Sequence, residues 1–347
     1  MNFIPFTMRY AFLIIVLMVS CSKNIEPINF SSVAVSDIYT DSLSIRAIEI
    51  MGNSLAFAAN KGTFGTVDLS TGKVRANIEK YHTVIPEFRA VAHTSSDFFM
   101  LSVGTPALLY KTGENGRMEL VYKEEGEGVF YDALTFLNDK EGIAVGDSVD
   151  GCLSVIITSD GGITWSKIPC LQLPTGIEGE GAFAASNTNI ATIGDEIWIA
   201  TTMGRILYSS DIGKNWKVFQ TPIKNKEPTE GIYSIAFYNE NIGVVIGGDY
   251  TNPDNAIANK AITKDGGKTW HLLADGNKPA YKSCIQFVPR TNGHGIVAVG
   301  FNGISYSSDM GVNWKELSKE SFYTLRFQND SVAYAAGKNR ISKLVFK

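Results

Sequence analysis

Thr158-Ser159-Asp160-Gly161-Gly162-Ile163-Thr164-Trp165 is one of four octets in this chain with the skeleton Ser/Thr, any residue, Asp, any residue, Gly, two further residues, Trp. The others run Ser209 to Trp216, Thr263 to Trp270 and Ser307 to Trp314. Their acidic positions, Asp160, Asp211, Asp265 and Asp309, stand 51, 54 and 44 residues apart, a period that denotes an array of supersecondary units. Each octet sits between β-rich stretches: Leu153 to Ile157 precedes the first and Ser166 to Ile168 follows it. Asp bonds nearby backbone amides and Gly accepts positive φ, so the octet is a tight reversal. The Trp folds back to cover the hairpin and bury apolar area. The unit is therefore a small antiparallel sheet, and the array an all-β propeller.

A second pattern lies upstream of each octet. An alternating strand such as Tyr131-Asp132-Ala133-Leu134-Thr135-Phe136 is followed by a small apolar run, Gly142-Ile143-Ala144-Val145-Gly146. Small residues are what crowding near a propeller axis demands. Seven such starts occur, near Ser44, Phe88, Tyr131, Gly181, Ile232, Ser283 and Phe322. They predict seven blades, with six or eight as the alternatives. The first two carry decayed hairpins, Val67 to Val74 and Tyr110 to Gly116, and the last stops at Lys347 after about three strands. Ser32 to Ile38 is the candidate for the missing outer strand, which would close the ring by pairing the two chain ends and remove two exposed edges. No long amphipathic helix is legible, and residues 32–347 read as one propeller domain.

The octet resembles the Asp-box, or BNR, repeat of sialidase-type propellers. That resemblance implies a structural turn remote from the ligand face, so Asp160, Trp165, Asp211, Trp216, Asp265, Trp270, Asp309 and Trp314 are expected to be hairpin staples rather than catalysts. One carboxylate per loop is too few for a calcium cage. A sialidase would also need an arginine triad whose first member lies in Arg-Ile-Pro. Phe88-Arg89-Ala90-Val91 lacks the Ile-Pro, and sialidase activity is disfavoured. The box travels with the fold and not with the chemistry.

Met1 to Ser20 reads as a targeting segment: Arg9, the apolar run Ala11 to Val19, then small Ser20 before Cys21. Met18-Val19-Ser20-Cys21 resembles a bacterial lipobox, which implies that Cys21 is lipidated and becomes the new N-terminus, with residues 21–31 as a tether. The expected location is a bacterial cell envelope, periplasmic or surface-exposed. Cys152 and Cys170 flank the first octet almost symmetrically. If Thr158 faces Trp165, they lie nearly opposite on adjacent strands, and an oxidising compartment would permit a disulfide. Two reduced thiols are the other reading. Cys284 reads as a small buried residue of an innermost strand.

Net charge is −4 and no basic run stands out, which disfavours nucleic acid. His82, His93, His271 and His294 have no mutual spacing that suggests a metal. No phosphate loop or hydrolase elbow occurs, so no cofactor is expected. Phe88-Arg89, Phe130 to Ala133, Glu178 to Ser186, Gly231 to Ser234, Gly247 to Tyr250 and Ala280 to Cys284 resemble, in their order, an envelope family of bacterial Asp-box propellers. That family is often labelled "oxidoreductase" and is related to photosystem II assembly-factor propellers, whose members look like chaperones binding a partner protein through an arginine-rich face. Arg46, Arg89, Asp132, Glu180, Tyr233, Tyr281 and Tyr323 occupy corresponding places near the blade starts. In a closed ring they would converge on one mouth of the channel, where they could hold a polar ligand or a peptide carboxylate. Asp249 to Ala258 is a long insert and the expected contact loop. The reading is a lipid-anchored binding or assembly platform for a protein or glycan. The alternative is an envelope enzyme, either a glycan hydrolase using an Asp132–Glu180 pair or the family-labelled oxidoreductase.

Overall fold

The computed structural model describes residues 28–113 and 116–347. The targeting segment, Cys21 and most of the tether lie outside the described residues. Every sheet is antiparallel, and five have four strands each. In one of them Tyr131–Phe136, Gly142–Val149, Cys152–Thr158 and Ser166–Lys167 follow each other outward from the axis. The first strands of successive repeats touch around a closed circuit: Val33–Met51, Phe88–His93, Tyr131–Phe136, Ile190–Ile193, Glu230–Phe237, Cys284–Phe287, Thr324–Phe327 and back to Val33–Met51. The chain is a β-propeller.

The count of sheets corrects the expectation. Seven blades were predicted, and the structure has six hydrogen-bonded sheets. The largest has six strands, in the order Thr324–Phe327, Val332–Phe346, Val33–Met51, Ser54–Ala59, Thr63–Asp68, Val74–Ile78. Val33 to Ser44 pairs with the C-terminal strand, from Val33 opposite Phe346 to Ser44 opposite Lys338. The same strand then runs on to pair with Ser54–Ala59, from Ile45 opposite Ala59. The N-terminal strand thus closes the ring as expected, and in doing so fuses the first and last repeats into one sheet. The closure begins earlier than the predicted tether end. Phe30 is buried against Tyr306 and Phe346, with ring centroids 4.9 Å and 5.1 Å away, and Tyr306 donates its hydroxyl to the Ile28 carbonyl.

Each octet closes on itself in the same way. Asp160 accepts from the Thr158 hydroxyl at 2.8 Å, the Thr164 amide at 2.9 Å and the Thr164 hydroxyl at 2.6 Å. Gly162 donates its amide to Thr158 Oγ1, and Trp165 Nε1 donates to the Gly162 carbonyl at 3.2 Å. Asp211, Asp265 and Asp309 repeat the pattern, with Asn215, Thr269 and Asn313 in the place of Thr164. The position before the Trp, read as free in the sequence, is therefore a second ligand of the Asp. The hydrogen bonds from Thr164 and Asn215 hold the Asp160 and Asp211 carboxyls down at about 2. The Trp rings then pack on the previous repeat. Trp165 lies edge-on to Phe136 and Phe99, and Trp270 to Phe237, which stacks on Trp198 at 3.8 Å. Burying a ring of this size removes about 150–250 Å² from water, a gross gain of about 4–6 kcal/mol before conformational entropy.

Cys152 and Cys170 form a disulfide, with Cα atoms 5.5 Å apart, beside this first octet. Cys284 is free and buried.

Candidate functional site

Antiparallel strands alternate in direction, so the end at which each repeat begins is opposite the end that carries the octets. At that beginning end a cavity of about 480 Å³ opens over the axis. Its lining includes Arg46, Arg89, Tyr233, Tyr281 and Tyr323, five of the seven residues that the sequence placed there. Tyr250 and Phe301 complete the wall from loops between second and third strands, and Phe183, Ala184 and Ala185 form the floor. Tyr250 lies in the long insert already singled out, whereas nothing in the sequence marked Phe301.

The floor exists because one repeat departs from the pattern. Its first strand was expected near Gly181 but begins at Ile190. The preceding residues, Gly181 to Asn189, run into the channel instead and bond to the first strands of the other repeats. Ser186 Oγ donates to the Ser283 carbonyl at 2.6 Å, and Thr324 Oγ1 donates to the Ser186 carbonyl at 2.9 Å. Asn187 donates Nδ2 to the Val91 carbonyl at 2.6 Å and accepts the Leu134 amide on Oδ1 at 2.8 Å. Thr188 bonds Ser234 Oγ at 2.7 Å, and its carbonyl accepts the Ile235 amide at 2.8 Å. Arg326 and Arg46 reach the Asn187 and Ala185 carbonyls at 3.3 Å and 3.5 Å. A stretch of small side chains with a single large apolar residue, Phe183, cannot form a core of its own; here its polar half satisfies the inward-facing groups of the surrounding strands, as buried polar atoms require. Asn187 has φ +59°, a left-handed conformation that Asn tolerates better than most residues.

This plug turns an open channel into a blind cup, and it relocates two predicted residues. Asp132 is fully buried beneath the floor, and neither of its carboxylate oxygens has a hydrogen-bond partner. Burial, reinforced by neighbouring Asp147, pushes its carboxyl well above the ordinary range. Asp147 itself is pushed up by burial to about 6. Gly181 packs on Asp147 so closely that a Cβ there would stand 1.8 Å from Oδ1. Glu180 does not line the cup either. It is buried and clamped by Arg205, which bonds Oε1 through Nε at 2.8 Å and also holds Oε2, while the Ile177 amide donates to Oε2 at 3.0 Å. Glu230 repeats this device one repeat later with Lys224 and the Lys226 amide. Both glutamates anchor the approach to their repeat and lie outside the lining of the cup. Position at a blade start was the right signal for five residues; for these two, burial decided otherwise.

Within the cup, Arg46 lies on the Tyr323 ring, its guanidinium carbon 4.3 Å from the centroid. Burial and the charge of Arg89 lower its pKa, and its Nε is buried without a partner. Arg89 is half-buried and paired with Glu87 at 2.7 Å. Phe183 stacks on Tyr233 at 3.7 Å, and Tyr281 meets Tyr233 edge-on at 4.9 Å. Burial raises the pKa of Tyr233 and Tyr281, which keeps both phenols neutral. With Glu87 balancing Arg89, the cup carries one uncompensated positive charge among aromatic rings. Such a site orients an anionic group while burying the apolar body attached to it. Among the described residues, no group of three or more His, Cys, Asp or Glu side chains could hold a metal ion.

The BNR/Asp-box repeat profile matches residues 156–167 and 261–272, the strand pairs that carry the first and third octets. The chain is a β-propeller built on BNR/Asp-box repeats. Its shape is similar to the solved structure titled "YCF48 bound to D1 peptide", at TM-score 0.64 and 12% identity, over 92% of this chain and 98% of that one. It is similar also to YCF48 from Cyanidioschyzon merolae, at 0.61 and 13% over 91% and 98%, and to the RRP9 WD40 repeats, at 0.65 and 11% over 92% and 100%. At these identities the likeness is one of fold. No curated protein matches the chain in sequence.

Proposed function

We propose that this propeller is an exported, lipid-anchored platform of a bacterial cell envelope whose cup receives a segment of a partner protein. The observation that carries the reading is the blind cup itself: aromatic walls, a floor made by a dedicated plug, and Arg46 at its base. A rigid ring with loops of varied length around such a cup suits recognition of an extended peptide. Two further points support the reading. A propeller of similar shape is titled as bound to a peptide. The Cys152–Cys170 disulfide suits an oxidising compartment, in agreement with the lipobox-like Met18 to Cys21. A glycan is the second reading, favoured by the exposed rings of Tyr250 and Phe301, which could stack on sugar faces. The hydrolase alternative loses its proposed pair, because Asp132 and Glu180 lie beneath the surface and Glu180 is held by Arg205.

The test is capture from a detergent-solubilised envelope fraction by the full chain, beside Arg89→Ala and Tyr250→Ala. Both positions reach solvent, so the fold should persist. Each variant should weaken retention of the partner by about tenfold, equivalent to about 1.4 kcal/mol. Partner sets and retention identical to those of the wild type would refute the cup as the binding site.

A further inference from the structure

A second cavity of about 420 Å³ lies on the flank of the ring, between the first two repeats and away from the cup. Its walls are Phe64, Gly65 and Thr66 on one strand, Arg75 and Ala76 on the next, and Phe98 and Met118 of the following repeat. Its origin is readable from the molecule's own octets. In the first octet Ile157 pairs with Ser166, which sets Thr158 opposite Trp165; the other three place their Trp in the same register. The second repeat retains parts of this hairpin. Thr112 stands where the hydroxyl residue belongs, and Gly116, four residues later, has φ +73°, against +77° to +86° for the octet glycines. Opposite Thr112, however, stands Met118. Trp165 and Trp270 fill the wedge against the previous repeat, each packing on aromatic rings. Met118 leaves the corresponding wedge open, with Phe64 and Phe98 as its aromatic walls.

We propose that this notch is a second docking site, and that it takes an aromatic side chain, an indole above all, presented by a partner segment with an acidic neighbour. The indole is specified by the four places where this fold seats its own Trp against the preceding repeat. The acid is specified by Arg75, which is exposed at the rim and makes no ion pair among the described residues. Thr66, directly opposite Arg75, shares the Phe64 face of the sheet and forms the wall between the ring and the arginine. Two rings with a short side chain between them accept a planar group, and an arginine at the edge gives it direction.

The probe is the dipeptide acetyl-Trp-Asp-amide, titrated into the full chain and followed by the methionine methyl resonances. The Met118 methyl, assigned by its loss in Met118→Trp, should shift saturably. Acetyl-Ala-Asp-amide should not move it, and acetyl-Trp-Lys-amide should bind several-fold more weakly. Met118→Trp supplies the missing ring and should weaken dipeptide binding at least about tenfold while raising the melting temperature. Thr66→Glu, on the Phe64 face of the sheet and directly opposite Arg75, should weaken it comparably and serves as the second variant should Met118→Trp not fold. A Met118 methyl that does not respond to the Trp probe would overturn the proposal. So would Thr66→Glu protein that binds the dipeptide as the wild type does.

Discussion

The rim and the hub of this propeller are built on opposite principles. At the rim, four octets repeat one local solution: an Asp gathers the amide and side chain four residues ahead, and a Trp closes the hairpin. Most of these hydrogen bonds span two to four residues, so they cost little chain entropy and form wherever the octet occurs. At the hub, Gly181 to Asn189 is a single copy with no internal counterpart, and its partners lie up to 139 residues away. Its hydrogen bonds draw on strands from several other repeats at once. Repetition therefore supplies a stable wheel, and one departure from repetition supplies the site. An interior that would otherwise be a wet channel becomes a cup because one repeat starts its first strand late.

Removing a rim ring gives the largest expected effect. Trp270 is buried against Phe237 and in one cluster with Trp198, so Trp270→Ala should cost about 3–5 kcal/mol, read from the denaturant midpoint. Trp198 adds to this region from the neighbouring repeat, since its Nε1 donates to the Gly266 carbonyl at 3.0 Å. The loss should leave binding at the cup unchanged, because the octets occupy the opposite end. A loss of partner retention equal to that of the cup variants would mean that rim and hub are not independent.

The hub should respond less in stability and more in binding. Asn187→Ala deletes two buried hydrogen bonds and places Ala at φ +59°, for about 2–3 kcal/mol in all. Because Asn187 fixes the segment that carries the floor residues Phe183 to Ala185, partner retention should fall with it. Retained binding at full affinity, in protein that is folded and destabilised by that amount, would show that the floor does not depend on this anchor.

The same contrast explains what could be read from the sequence. The octets, the ring, its closure by Ser32 to Ile38 and the Cys152–Cys170 pairing were legible because each rests on short-range turn chemistry or on register. Five cup residues followed from the ring alone. Asp132 and Glu180 were misplaced because a repeat pattern gives an angular position but no depth, and depth was set by the plug. The plug left no periodic signal: Ala184-Ala185-Ser186-Asn187-Thr188-Asn189 reads as a loop, and its partners are mostly backbone groups and hydroxyls that carry no complementary pattern. The fusion of the first and last repeats into one sheet was hidden for a similar reason, since a strand start says nothing about whether the preceding strand runs on without a break.

The smallest expected effect separates the two regions by pH. At the rim, Asp160 and Asp211 are held near 2, below the unfolded value of about 4. Their contribution is present above about pH 4 and is lost as pH falls toward 2, because the unfolded chain there binds more protons. At the hub the sign reverses. Asp147 is raised to about 6 by burial, so between about pH 4 and pH 6 the folded chain holds a proton that the unfolded chain has released, and stability falls as pH rises through that window. Asp132 acts in the same direction. Wild-type stability should therefore climb from pH 2 to pH 4 and then decline toward pH 6, apart from contributions common to other carboxylates. Asp147→Asn should reduce the decline, the remainder belonging to Asp132, and leave the climb intact, while Asp211→Asn should reduce the climb and leave the decline. Denaturant melts of the three proteins across this range provide the check. A decline that persists unchanged in Asp147→Asn would show that Asp147 does not hold its proton through this window and would leave the pH response of the hub to Asp132 alone.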